Sequence, residues 1–237
     1  MKSARPARHA VRALVTSITA SAALLGALPA SAMLTVDNLV PGQLVISEVM
    51  VDPTKVFFDD TASTEIYNPH TVPIDLGGLV VESLTGTTVE SFRIQGSHIV
   101  APGDYFVLGR NANSATNGGV PVDYAWGTAI SFGNSNDLVR VERPDGIILV
   151  QASWSASTAG RSMELRSGTV PALGPTAFGA STAAYGLGDF GTPGLVNSAP
   201  MNLAGVVAPP VPEPETYALM AMGLGCVALA RGRRLKR

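Results

Sequence analysis

The sequence predicts an all-β body, an antiparallel β-sandwich, carried between an N-terminal signal helix and a short C-terminal transmembrane helix. Three observations predict it. From Leu44 onward, short β-rich runs recur at spacings of about 10–15 residues, broken by Gly, Pro, Asn and Asp, with no long stretch of helical period. The 237 residues include 25 Gly and 17 Pro, which suits a chain of strands and turns. Charge is segregated: residues 33–211 hold seven basic and sixteen acidic residues, a net −9, while nine of the 16 basic residues sit at the two ends beside apolar runs.

At the N-terminus, Lys2, Arg5, Arg8 and Arg12 precede an Ala/Leu-rich stretch from Ala13 to Leu28. Ala30-Ser31-Ala32 follows. Small side chains at Ala30 and Ala32 fit the pockets of a signal peptidase, so residues 1–32 read as a signal peptide cleaved after Ala32.

Residues 33–199 read as the sandwich domain. Strands are expected at Leu44–Val49, Glu65–Tyr67, Leu79–Glu82, Val89–Ile94, Tyr105–Leu108, Leu138–Glu142 and Ile147–Gln151, with a short one at Ser162–Leu165. Pro144-Asp145-Gly146 reads as a tight hairpin turn and Ala101-Pro102-Gly103-Asp104 as a turn leading into a strand. Asn68-Pro69 ends its strand, because Pro cannot donate to a ladder and Asn favours turns. Asp75 before Leu76-Gly77-Gly78 fits a turn whose carboxylate accepts backbone N–H bonds. Glu65 is expected to have a structural role, pointing outward or buried under a loop.

Residues 200–211 read as a Pro-rich, semi-rigid spacer. The apolar run Tyr217–Ala230 then spans about 21 Å as a helix, against the ~30 Å of a hydrocarbon core. Arg231, Arg233, Arg234, Lys236 and Arg237 follow and would stay cytoplasmic. The chain's one cysteine, Cys226, lies in this run, so no intramolecular disulfide is possible.

The tail Pro212-Glu213-Pro214, apolar run, basic terminus resembles the PEP-CTERM sorting signal, over residues 212–237. The resemblance implies transient retention in the inner membrane of a Gram-negative bacterium. It also implies processing by an exosortase near Pro212, Glu213 and Pro214, and a final place at the cell surface or beyond. In the body, Leu44-Val45-Ile46-Ser47-Glu48-Val49, Glu65-Ile66-Tyr67-Asn68-Pro69, Asp75-Leu76-Gly77-Gly78-Leu79 and Ala101–Leu108 resemble, in order, segments of the bacterial lamin-tail domain. So do Asn134-Ser135-Asn136-Asp137, which stands for an Asn-Ser-Gly-Asp hairpin, and the closing segments Gly160–Glu164 and Gly191-Thr192-Pro193-Gly194. The fold this implies is an immunoglobulin-like sandwich. Ala62, Ser63, Thr64 and Leu79 depart from the Glu-Trp-aliphatic and aromatic residues usual in the family.

Chemistry-bearing motifs are scarce. The sequence has no Gly-x-Ser-x-Gly, His-Glu-x-x-His or Gly-x-x-x-x-Gly-Lys pattern, and His70 and His98 beside turns read as surface residues. Catalytic residues and cofactors are therefore expected to be absent. Asp52, Asp59, Asp60 and Glu65 are weak calcium candidates, since calcium wants several oxygen ligands; Lys55 opposes a cation there. Tyr105, Phe106, Tyr124, Trp126, Phe132 and Trp154 suit a core better than a sugar-stacking platform. Basic residues in the body are too scattered for nucleic acid. The sequence thus points to an exported, non-catalytic surface or matrix component. Its expected partners are signal peptidase, exosortase and other surface proteins. A polysaccharide- or calcium-binding module is the alternative, and a secreted hydrolase a more distant one.

Overall fold

The computed structural model describes residues 33–56 and 62–209. The signal residues Ala30 and Ala32, the calcium candidates Asp59 and Asp60, the sorting residues Pro212, Glu213 and Pro214, both expected helices and the basic tail Arg231, Arg233, Arg234, Lys236 and Arg237 lie outside the described residues. Among the described residues no helix is long and apolar enough to cross a membrane.

The strands in chain order are β1 (Val45–Met50), β2 (Ser63–Tyr67), β3 (Ile74–Asp75), β4 (Val80–Thr85), β5 (Thr88–Arg93), β6 (Ile99–Val100), β7 (Tyr105–Gly109), β8 (Tyr124–Ala125) and β9 (Asp137–Glu142). They continue with β10 (Ile148–Trp154), β11 (Met163–Leu165), β12 (Ser167–Thr169), β13 (Ala172–Leu173), β14 (Phe178–Ala180), β15 (Ala184–Tyr185), β16 (Asp189–Phe190) and β17 (Asn202–Ala204). One sheet runs β14-β11-β1-β2-β7-β8 and the other β13-β10-β9-β4-β5. Ile46, Ile66 and Leu108 of the first sheet and Val81, Val139 and Leu149 of the second belong to one buried apolar cluster, which makes the pair an immunoglobulin-like sandwich. Pairing between the long strands is antiparallel, as expected; within these two sheets the short parallel pairs, β10–β13 and β7–β8, lie at the edges.

The second sheet shows burial that alternates along its strands. In β9, Asp137, Val139 and Val141 are buried while Leu138, Arg140 and Glu142 are half-buried. Arg140 bonds Glu82 on the facing β4 from Nε at 2.8 Å. In β1 every residue is buried, so this strand has no solvent face at all. Something covers it on the side away from the core.

The turns act as the sequence implies. Asp104 N donates to the Ala101 carbonyl, and Gly103 has φ +78° after Pro102, the left-handed second position of a type II turn. Asn136 has φ +51° where the family's hairpin has glycine, a conformation that asparagine tolerates better than other residues with a side chain. Asp75 accepts from Gly77 N and His98 N, both at 2.8 Å, and from Ser97 Oγ at 2.7 Å. Ala62, Ser63, Thr64 and Leu79, the departures from the family pattern, are all buried packing positions.

Two readings need correction. His70 is buried, not a surface residue: its Nε2 lies 2.9 Å from the Gln43 carbonyl, and burial pulls its pKa below the ordinary value. His98 is half-buried, edge-on to Phe106 and Tyr124. The expected spacer is also not free for most of its length. β17 pairs in parallel with β12, Val207 N donates to the Gly42 carbonyl, and Gln43 Nε2 donates to the Ala208 carbonyl. Gly42 is required at this crossing: its φ is +87°, and a Cβ there would lie 2.7 Å from the Gly205 carbonyl oxygen. Proline-rich composition suggested an extended segment. It could not show that the extended segment finds a strand edge.

Asn68, fully buried, joins three segments. Its Nδ2 donates to the carbonyls of Val72, Val100 and Ala101 at 2.9–3.1 Å, and its Oδ1 accepts from His70 N at 3.0 Å. Replacing it leaves buried carbonyls unpaired at about 1–3 kcal/mol each. Asn68→Asp should lower the melting temperature more than Asn68→Ala, because it loses the donor and sets a carboxylate against three carbonyl oxygens; thermal unfolding of the two variants decides this.

Candidate functional site

The cover over β1 is built on a row of three glutamates. In register, Glu48 of β1 faces Glu65 of β2 on one side and Glu164 of β11 on the other. Directly opposed residues share a sheet face, so the three carboxylates stand side by side across three strands. The apolar partners Ile46 and Ile66 point into the core, so the glutamates point to the outer face. A bulge at Ser47 brings its hydroxyl to that face too, where Oγ donates to Glu65 Oε1 at 2.6 Å. Glu48, Glu65 and Glu164 are 4%, 2% and 0% exposed, which means that three acids are buried on the outside of a sheet.

Their partners come from the last part of the body. Thr192 N and Oγ1 donate to Glu48 at 2.9 and 2.6 Å, and Gly194 N donates to Glu65 Oε2 at 2.6 Å. Ser198 N and Oγ donate to Glu164 Oε2, and Ser181 Oγ to its Oε1. Arg166 adds an ion pair to Glu164 at 2.9 Å. Asn197 Nδ2 ties the same segment to the carbonyls of Ser47 and Leu165. Gly191 must be small: a Cβ there would lie 2.6 Å from Glu48 Oε1. A buried carboxylate is tolerable only when donors replace its lost water, and here amides and hydroxyls of 181–198 do so. The glutamates therefore hold the closing segment against the sheet.

Burial pushes the Glu65 carboxyl well above the ordinary value of 4.5, and the neighbouring Glu48 charge pushes it further. Burial raises Glu48 as well, against the bonds from Thr192. An adjacent loop is fastened in the same manner. Asp189 accepts from Thr54 Oγ1 at 2.6 Å and from the amides of Thr54 and Lys55.

These contacts place the calcium candidates. Asp52 is half-buried in the loop after β1, and Glu65 faces the closing segment with both oxygens engaged, so the two do not converge. Among the described residues no group of three or more His, Cys, Asp or Glu is disposed to hold a metal ion. Phe106, Trp126 and Trp154 are buried. With half-buried Tyr124 and Phe132 they form a chain of ring contacts, Phe92 lying 5.8 Å from Tyr124 and 6.0 Å from Trp126. Tyr105 pairs with Tyr67 at 4.8 Å and lines an open recess of about 400 Å³ with Pro121, Asp123, Pro193 and Leu195.

Sequence reasoning treated Glu65 alone and missed Glu48 and Glu164. One signal was present: Glu48 interrupts a run, Val45-Ile46-Ser47-Glu48-Val49-Met50, with apolar residues on both faces. A charge in a strand buried on both faces needs a built partner.

Comparison with known proteins agrees with this architecture. The family model for the lamin tail domain matches residues 39–158, over half of the chain. The model for the PEP-CTERM protein-sorting motif matches residues 210–237. No curated protein matches the chain.

The raised acids set a pH dependence. A carboxyl whose folded pKa exceeds its unfolded value favours the fold below about 4.5, and that contribution is lost as pH rises through the folded value. Glu65→Gln keeps an acceptor for Gly194 N and offers a donor to Ser47 Oγ. Its stability relative to wild type should therefore improve as pH rises from 4.5 toward neutrality. Glu65→Ala leaves the Gly194 amide unpaired and should cost about 1–3 kcal/mol. Thermal melts across pH check both.

Proposed function

From the premise that this chain belongs to the lamin tail domain family and carries a PEP-CTERM sorting motif, we propose that it is an exosortase-processed surface protein whose sandwich is a non-catalytic structural or adhesive module. The sorting motif implies export through the membrane and surface display. In this reading the host is a Gram-negative bacterium, and the body faces the matrix outside the cell.

What supports a non-catalytic role is the way the buried acids are used. Glu48, Glu65 and Glu164 are the groups best suited by burial to acid–base work, yet each has its oxygens taken by donors within the chain. A body held by such bonds, with no cysteine of its own, suits a module that has to persist outside the cell. A second reading, binding of extracellular polysaccharide, is supported by half-buried Tyr67 and Tyr105 beside an open recess, where rings could stack on sugar faces.

Fractionation of the native host with an antibody to the body tests the main reading. The wild-type chain should appear outside the inner membrane and shorter by its tail. A chain with Pro212→Ala and Glu213→Ala should stay at full length in the inner membrane. Full-length wild type retained in the inner membrane, with an exosortase present, contradicts the reading.

A further inference from the structure

The body holds its own chain until just before the sorting motif. Asn202 N donates to the Arg166 carbonyl, Val170 N to the Ala204 carbonyl, and Val207 N to the Gly42 carbonyl. Gln43 Nε2 then grips the Ala208 carbonyl. Only nine residue steps separate Ala208 from Tyr217, where the apolar run begins. Fully extended, nine residues reach about 30 Å. That is shorter than the roughly 40 Å breadth expected for a body of this length. The end of the body at Ala208 is therefore the end a membrane-inserted tail keeps at the bilayer.

This end is apolar. Val40, Ile147, Val206 and Val207 are 39%, 40%, 36% and 43% exposed. Val207 packs beside Gly42 and donates its N–H to the Gly42 carbonyl; Val40 lies two residues before Gly42, and Ile147 two residues before Leu149, whose carbonyl takes the Gly42 N–H. Beside them Arg93, Arg143, Asp37 and Asp145 line one shallow recess with Val36 and Pro144. Two guanidinium groups and two carboxylates leave this face neutral on a body of net −9. An anionic leaflet repels the acidic remainder and does not repel this end.

We propose that the loop 36–42, the turn 143–147 and the segment 205–208 form a lipid-facing surface that seats the body on the bilayer while the tail is still attached. The proposal rests on the reading of residues 210–237 as a sorting tail whose apolar run enters the membrane. Four partly exposed aliphatic side chains bind a bilayer weakly by themselves, at about 25 cal/mol per Å² buried. A tether of this length supplies the second signal, because it holds the surface at a high effective concentration near the lipid. Pro212-Glu213-Pro214 is then presented at the interface, and removing the tail frees the body because the surface alone does not retain it.

The test uses the chain as it stands after signal cleavage, residues 33–237, carrying Cys226→Ser and reconstituted in phosphatidylethanolamine–phosphatidylglycerol vesicles. Single cysteines replace Ile147, Val207, Val89 or Leu195 and carry an environment-sensitive dye. Ile147→Cys and Val207→Cys should be quenched several-fold more by a nitroxide lipid than Val89→Cys and Leu195→Cys, which are exposed elsewhere on the body. Cutting off the tail should release the body and abolish the difference. Flotation with the vesicles but equal quenching at all four positions overturns the surface and leaves the anchored tail standing. A blue shift at Ile147→Cys or Val207→Cys without quenching, the signature of a second copy or another protein, also overturns it. Failure to float overturns the anchored tail and the surface together.

Discussion

Three buried carboxylates on the outer face of one sheet need donors, and most of this molecule's latter part exists as the supply of those donors. Left under apolar cover without partners, Glu48, Glu65 and Glu164 would be strongly destabilising. With Thr192, Gly194, Ser181, Ser198 and Arg166 in place, each has donors aimed at its oxygens, and Glu164 has an ion pair as well. The dependence is mutual. The closing segment has few apolar anchors: Leu195 and Val196 point to solvent, 66% and 71% exposed. Polar bonds to the glutamates fix its path instead.

That dependence sets the extent of the domain. The part of the chain that resembles the family model ends at residue 158. Yet Glu48 and Glu65, both inside that part, find their partners at 192 and 194, and Glu164 joins their sheet through β11. Residues 160–198 are thus integral to the sandwich. The succeeding strand β17 then pairs with β12, and Val207 and Ala208 beyond it bond Gly42 and Gln43, at the front of the domain. The body's own C-terminal stretch is held to it as far as Ala208, two residues before the match to the sorting motif begins.

Much of the fold was legible because its signals are local. The β-rich runs of β9 and β10, Pro144-Asp145-Gly146 between them, and Pro102-Gly103 before β7 each act over a few residues. Asp75 was legible for the same reason, since its partners include the amide two residues on. The glutamate row was not. Its members lie as far as 116 positions apart, and alternation shows that two side chains share a face only once the register is known. Three of its donors are backbone amides, which every residue but proline has, and the others are mostly Ser and Thr hydroxyls, so the Gly- and Thr-rich stretch read as plain loop. His70 was misplaced by its position beside a turn; its ring is turned inward to the Gln43 carbonyl while Thr71 next to it is exposed. Asp52 and Glu65 were grouped by nearness in sequence, which a strand boundary between them undoes.

The central claim, that the glutamates fasten the closing segment as part of the cooperative fold, is tested most directly by native-state amide hydrogen exchange. The amides of Thr192, Gly194 and Ser198 should be protected as strongly as those of β1 and β2, opening only with the whole domain. If those three amides exchange at the rate of a free loop while β1 and β2 stay protected, the segment is a passenger on the sheet and the account is wrong.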